Sequence, residues 1–487
     1  LKLKWLPMAI VGLLLFCTAP PAAAEDKSSL SDEIIYDVLV DRFFNKGIEN
    51  DVQVDSRNPE AFSGGDFAGL SSEMQYIKDM GITLLSIGPV FSSTSYDGKE
   101  AEEFSSLEPR FGTEEEFKEV IKRAHELDLK IMVDIPTQNL SPYHIWRSEN
   151  PDWFKENADG TVALDTSNPD VQDALIDAIE EFLTIYNIDG LRLQSSNELD
   201  SGFIERFSAS MKNTRDVYII GDSAMEPQKG LDAVVVPGIE ENLRNRYKKF
   251  NPDVPETPIP WSEVEGNLIQ VDSLNSARFT SDVIKENGFP PTRWNLLMFQ
   301  LLTMPGIPVI QYGSEIAVNG IDQPYNHPIL DLGVDDELID HITNLTSLRN
   351  DSEALRTGDT EILHDEAGWM VYKRSNQEES WIIAINNSSS TKSFTLPADV
   401  VGANKELRGL FESNVVREGE EGGYKITLDR ELGEAFNVIE RQGFNKAYIG
   451  ALITLYVSFL TFLWFAWRIG KKRRTQQKKE KRVLERV

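Results

Sequence analysis

DGLRLQSSNE, residues 189–198, contains a run from Gly190 to Gln194 that reads as a short strand. Side chains of a strand alternate faces, so Arg192 and Gln194 point the same way. At the C-terminal mouth of a parallel barrel, these two would converge on whatever the barrel binds. Around this run, from Glu33 to Ile310, short β-rich segments alternate with amphipathic helical ones, the pattern of a parallel α/β barrel. The candidate strands are Ile35 to Val40, Thr83 to Ile87, Lys130 to Asp134, Gly190 to Gln194, Val217 to Gly221, Ala233 to Val236, Leu268 to Val271 and Pro308 to Tyr312. That makes eight.

The segment from Thr113 to Leu127 shows why the intervening runs read as helices. Thr113 can cap, Glu114 to Glu116 complement the N-terminal dipole, and Phe117, Val120, Ile121 and Ala124 recur at helical spacing. Beyond about Leu355 the helical period gives way to short alternating runs such as Trp369 to Tyr372 and Trp381 to Ile385, broken by Asn386-Asn387-Ser388 and by Glu418 to Gly423. These predict a small antiparallel β domain ending near Arg441.

The two ends are of another kind. Residues 1–24 carry Lys2 and Lys4, an apolar run from Met8 to Phe16, and Ala22-Ala23-Ala24, which together read as a secretory signal. The only cysteine, Cys17, falls inside it, so the mature chain is expected to lack disulfides, thiol chemistry and Cys/His zinc sites. Bulky Phe16 before Cys17 disfavours a lipoprotein reading. Residues 447–467 are uncharged and mostly apolar, long enough to cross a bilayer, and the basic tail 468–487 is expected to stay on the cytoplasmic side. The expected location is the cell membrane, single-pass, with the main domain outside. Removing the tail's +8 and the leader's +2 from the whole chain's −30 leaves −40 on residues 25–467. Nucleic acid is excluded as a partner of so acidic a surface, whereas a neutral polymer such as a polysaccharide is compatible with it.

Seven stretches carry a resemblance: IIYDVLVDRF (34–43), SGGDFAGL (63–70), YIKDMGITLLSIGPVF (76–91), EPRFGTEEEFKEVIKRAHELDLKIMVDI (108–135), DGLRL (189–193), VYIIGD (217–222) and MPGIPVIQYGSEIAVNG (304–320). In number and order they resemble the α-amylase family of glycoside hydrolases over roughly Asp32 to Glu440. The resemblance implies a (β/α)8 TIM barrel over 25–352 with a C-terminal antiparallel β-sandwich over 353–441, followed by the single transmembrane helix, and α-linked glucans as the substrate class.

It also implies a retaining mechanism, with a carboxylate nucleophile after strand four and a carboxylic acid after strand five, about 5–5.5 Å apart. The nucleophile's position is Gln194, and the acid's is Asp222, one methylene shorter than the family's glutamate. After strand seven the family's DNHDTPRF reads DSLNSARF (272–279), so the third carboxylate becomes Asn275 and a histidine becomes Leu274. In strand three the family's asparagine and histidine fall on Gln138 and Asn139. An amide offers no anionic oxygen to form a glycosyl-enzyme bond. Of the family's substrate-facing groups, Arg192, Tyr96 and Asp97 remain. Calcium-dependent relatives bind the ion through residues matching Asn45, Asn50, Asp51, the Gly64 carbonyl and Asp66, an oxygen set suited to a hard cation. Tyr143, Trp146, Trp153, Phe154 and Tyr312 follow strands three and eight, where rings can pack on sugar faces.

The expectation is a membrane-anchored, catalytically silent barrel of carbohydrate metabolism or recognition. One alternative is an active α-glucan hydrolase or transglycosylase using Asp222 and a carboxylate from elsewhere; the other is a structural cell-surface protein whose cleft is filled by side chains. A second carboxylate in the pocket with Asp222 favours the active reading, and a carboxylate-poor cleft disfavours it.

Overall fold

The computed structural model describes residues 29–252, 259–333, 337–420, 422–441 and 446–484. The leader reading, with Cys17, lies outside them. Eight parallel strands close into a barrel in sequence order. They are Ile35–Asp37, Leu84–Ser86, Lys130–Ile135, Gly190–Leu193, Tyr218–Ala224, Ala233–Val235, Leu268–Gln270 and Ile307–Gln311, hereafter strands one to eight. Closure is made by strand one, which pairs with strand two (Ile35 opposite Leu84) and with strand eight (Ile35 opposite Val309). Strands one, two, four and eight are buried along their whole length, as expected where helices cover one face of a sheet and the barrel core fills the other.

Local sequence fixes the helices. Thr113 and Glu116 form the capping box ahead of Glu114–Glu126, and Phe117, Val120, Ile121 and Ala124 are its buried face. Pro169 starts the helix Pro169–Ile185, and Asn168 caps it by accepting from Asp170 N. The loop between strand three and that helix carries a two-stranded hairpin, Phe154–Glu156 with Val162–Leu164, which alternation did not announce. Its first strand, Phe-Lys-Glu, is too short and polar to stand out.

The chain divides into two compact units, the barrel unit reaching Thr357 and the second starting at Gly358 and including residues 249–252. The second unit holds a six-stranded antiparallel sheet, in the order Asp359–Glu366, Trp369–Ser375, Ser380–Asn386, Leu432–Glu440, Lys405–Gly409, Val415–Arg417. A separate pair, Lys392–Leu396 with Tyr424–Leu428, packs Leu396, Tyr424 and Ile426 against Trp369, Val371, Ile382 and Phe436 of the larger sheet. Last comes a helix from Lys446 to Leu484, 39 residues and roughly 58 Å at 1.5 Å per residue. It is long and apolar enough to cross a membrane, and none of its most apolar window is buried.

Candidate active site

Arg192 leaves strand four toward the barrel axis and is buried with two carboxylates. Its Nη1 and Nη2 donate to Asp37 of strand one, both at 2.9 Å. Its Nε and Nη2 donate to Asp134 of strand three at 2.8 and 2.7 Å. Four charge-assisted hydrogen bonds in fork geometry compensate the cost of removing three charges from water. Burial pushes the Asp134 carboxyl upward, and the Arg192 charge opposes that shift.

Gln194 stands just past the strand and donates from Nε2 to Asp134 Oδ2 at 2.9 Å. Asp134 is therefore saturated by one guanidinium and one amide. Asp222 lies on strand five, accepting from Ser223 Oγ at 2.8 Å and, more weakly, from Ser196 N at 3.4 Å. Burial raises its carboxyl above the usual carboxylate range against the pull of Arg192, so it holds a proton more readily than a free aspartate. Asn275 is exposed after strand seven, and its Oδ1 accepts from Lys99 Nζ at 2.8 Å.

These groups line one cavity: Arg192, Gln194, Asp222 and Asn275, with Asp37, Asp134 and Lys99, against apolar walls that include Ile220, Val235 and Leu274. Its volume is about 40 Å³, room for a few waters, whereas ligand pockets run to roughly 300–1,000 Å³. The cleft is not carboxylate-poor, since Asp37 and Asp134 join Asp222 in its lining. Both additional carboxylates are committed to Arg192.

Tyr96 and Asp97 do not line this cavity. The Tyr96 ring lies 3.7 Å beneath the Arg42 guanidinium, and its hydroxyl meets His327 Nδ1 at 2.9 Å. The other His327 nitrogen, Nε2, faces the Leu274 carbonyl at 2.7 Å. That carbonyl can only accept, so Nε2 carries the proton and Nδ1 accepts from the tyrosine. Burial pulls His327 down to about 3. Asp97 is buried and accepts from Ser95 Oγ at 2.7 Å and Gln323 Nε2 at 2.8 Å. Glu198 is exposed, and Asp200 caps the helix Ser201–Thr214, so neither replaces Gln194 as a nucleophile.

The residues matched to a calcium site do gather. At Gly64, φ is +96°, and a side chain there would run into Asn45 and the Asp51 carboxylate. Asn45 Nδ2 donates to Asp51 at 3.1 Å, and Asn50 Nδ2 donates to the Arg110 carbonyl at 2.6 Å, which turns the Asn50 oxygen toward Gly47 and Asp66. Asp66 also caps its helix through Gly69 N, at 2.5 Å, and accepts from Gly47 N. No group of three or more His, Cys, Asp or Glu side chains placed for a metal occurs among the described residues. These residues carry oxygens of the kind a hard cation takes, but here Asn45 turns its nitrogen to Asp51, and both Asp66 oxygens accept backbone N–H groups.

Of the aromatic residues, Tyr143 is 78% exposed, and Trp146 and Trp153 meet edge to face at 5.8 Å. Trp146 and Phe154 also pack on buried His144. Tyr312 corrects the expectation: it is fully buried, its hydroxyl donating to the Pro328 carbonyl at 3.2 Å, and it faces no cleft. Sequence reasoning missed Asp37, Asp134 and Lys99. An aspartate inside an apolar barrel strand must find a cation, which was the available signal for the first two; nothing marked Lys99.

Comparison with known proteins agrees with the geometry. A sequence profile described as the α-amylase catalytic domain matches residues 37–159, and one described as the α-amylase C-terminal domain matches 358–436. Superposed on the crystal structure of an Anoxybacillus α-amylase, the chain gives a TM-score of 0.82 with 30% identity, covering 86% of this chain and all of that one. The α-amylase of Geobacillus thermoleovorans, solved with acarbose, gives 0.80 and 30%, covering 85% and all of it. A cyclomaltodextrinase of Geobacillus thermopakistaniensis is 27% identical over 77% of this chain and 72% of its own. A β/α-amylase of Paenibacillus polymyxa is 25% identical over 75% of this chain, which spans only 34% of that protein.

Proposed function

We propose that this chain, which belongs to the α-amylase family of glycoside hydrolases, is a catalytically silent member held at a membrane by its C-terminal helix. One observation carries the reading: the position of the nucleophile is filled by an amide whose Nε2 donates to Asp134. No anionic oxygen stands there to attack a sugar. The third carboxylate's position is equally changed, with Asn275 accepting from a lysine. Only Asp222 keeps acid character, and an acid without a nucleophile does not complete a retaining reaction.

In this reading the saccharide contact is an α-glucan laid on exposed Tyr143 and the half-buried rings of Trp146 and Trp153, rather than a sugar seated in the 40 Å³ cavity. Calcium at Asn45, Asn50, Asp51, Gly64 and Asp66 would brace the loop after strand one and take no part in chemistry. The domain faces the outside and the basic tail the cytoplasm, supported by the tail's charge. The test is hydrolysis of a maltooligosaccharide by the full chain with calcium, in a detergent lacking a sugar headgroup; no turnover is expected.

A second reading, an active α-glucan hydrolase or transglycosylase, draws on the three carboxylates of the cavity. Its difficulty is that Asp37 and Asp134 are each held by two hydrogen bonds to Arg192, so neither is free to attack. Turnover that vanishes on Asp222→Ala would favour it.

A further inference from the structure

Lys99 is delivered to the cavity by a constrained turn in the loop after strand two. Ser93 and Ala101 pair as an antiparallel bridge, and Thr94 N donates to the Glu100 carbonyl at 3.1 Å. Gly98 at the tip has φ +71°, and a Cβ there would lie 2.8 Å from Pro89 Cβ, so only glycine makes the turn without strain. Buried Asp97, fixed by Ser95 and Gln323, pairs with Lys99 Nζ at 3.4 Å. The same ammonium donates to Asn275 Oδ1 at 2.8 Å. One side chain thus ties the loop after strand two to the loop after strand seven, on the lining of the cavity.

We infer that Lys99 is the residue that excludes a hexose from the barrel mouth, and that the lining it closes is a hexose pocket. The inference rests on the reading of the mouth as a saccharide site that has lost its chemistry. Without the lysine, the lining offers the Gln194 amide, the Asp222 carboxyl and the Asn275 amide beside the apolar walls of Ile220, Val235 and Leu274. A few convergent polar groups on an apolar wall are what a neutral sugar needs. Arg192 is already matched by two carboxylates and places no demand on a ligand for charge. With Lys99 in its lining the cavity holds about 40 Å³, room for a few waters and too little for a hexose ring.

The experiment is calorimetric titration of maltotriose into the full chain, in a detergent without a sugar headgroup, for the wild type, Lys99→Ala, Lys99→Arg and Lys99→Ala combined with Leu274→Trp. Lys99→Ala is expected to bind at least about tenfold more tightly than the wild type, about 1.4 kcal/mol. Lys99→Arg is expected to stay closed, and Leu274→Trp to remove the gain by refilling the pocket. A gain that survives Leu274→Trp means that the sugar binds elsewhere and overturns the inference. Should Lys99→Ala not fold, Asn275→Ala releases the ammonium without touching the turn, and a smaller gain is expected. No gain from a folded variant of either kind overturns the inference, and if the wild type also fails to hydrolyse the sugar, the silent reading is untouched. Hydrolysis by the wild type contradicts the silent reading itself.

Discussion

Gln194 donates its Nε2 proton to Asp134 Oδ2 at 2.9 Å, on a carboxylate that Arg192 already holds by two bonds. The position that should attack a sugar is instead a donor to a buried anion. A carboxylate here would face Asp134 directly, so the amide suits the polar network as it stands.

Gln194→Glu is therefore expected to lower stability at neutral pH by about 1–3 kcal/mol and to yield no turnover. The new carboxyl's folded-state value would be raised by Asp134, so the destabilisation should fade as pH falls through that raised value. Thermal unfolding of both proteins at pH 7 and pH 5 measures this; equal stability at pH 7 contradicts it.

Arg192→Met leaves Asp37 and Asp134 buried side by side without their cation. A loss of about 3–5 kcal/mol is expected. Denaturant unfolding reports it, and a loss below about 1 kcal/mol would show that the network is not paired as described.

Burial pulls His144 down to about 4, with Glu103 opposing, and His144 Nδ1 accepts from Trp146 N at 3.3 Å. A base depressed on folding is neutral inside while the unfolded chain takes up protons, so its contribution is full above about 6.5 and is lost as pH falls toward 4. Asp41, raised to about 6 mainly by burial, acts in the opposite sense over part of that window, so the wild-type curve alone does not isolate the histidine. The difference does: between pH 7 and 4.5, His144→Phe should lose less stability than the wild type by up to about 2–3 kcal/mol. Parallel curves would contradict the assignment.

Calcium at saturating concentration is expected to raise the unfolding temperature, with a stabilisation of about 2.7 kcal/mol at a hundredfold excess over the dissociation constant. Asp51→Ala, which removes a carboxylate from the Gly64 cradle, should abolish the shift. An unchanged shift in that variant would place the ion elsewhere.

All eight barrel strands were legible as short β-rich runs between helical ones, with offsets of a residue or more at their ends: strand eight is Ile307–Gln311 where Pro308 to Tyr312 was expected, and strand five runs on to Ala224. Gln194, Asp222 and Asn275 could be placed because each sits at a fixed offset from a strand. Their partners could not. Asp37 lies 155 residues from Arg192, and Lys99 lies 176 residues from Asn275; barrel closure and loop packing, neither of them local in sequence, bring these pairs together. Tyr312 misled for the reverse reason, since its place after a strand said nothing of which way the ring turns.

The most direct test of the central claim is maltooligosaccharide hydrolysis by the full chain with calcium, in a detergent free of sugar, beside its Asp222→Ala variant. The account predicts no turnover from either protein. Cleavage by the parent that disappears in Asp222→Ala would contradict it and show that Asp222 works without a carboxylate at residue 194.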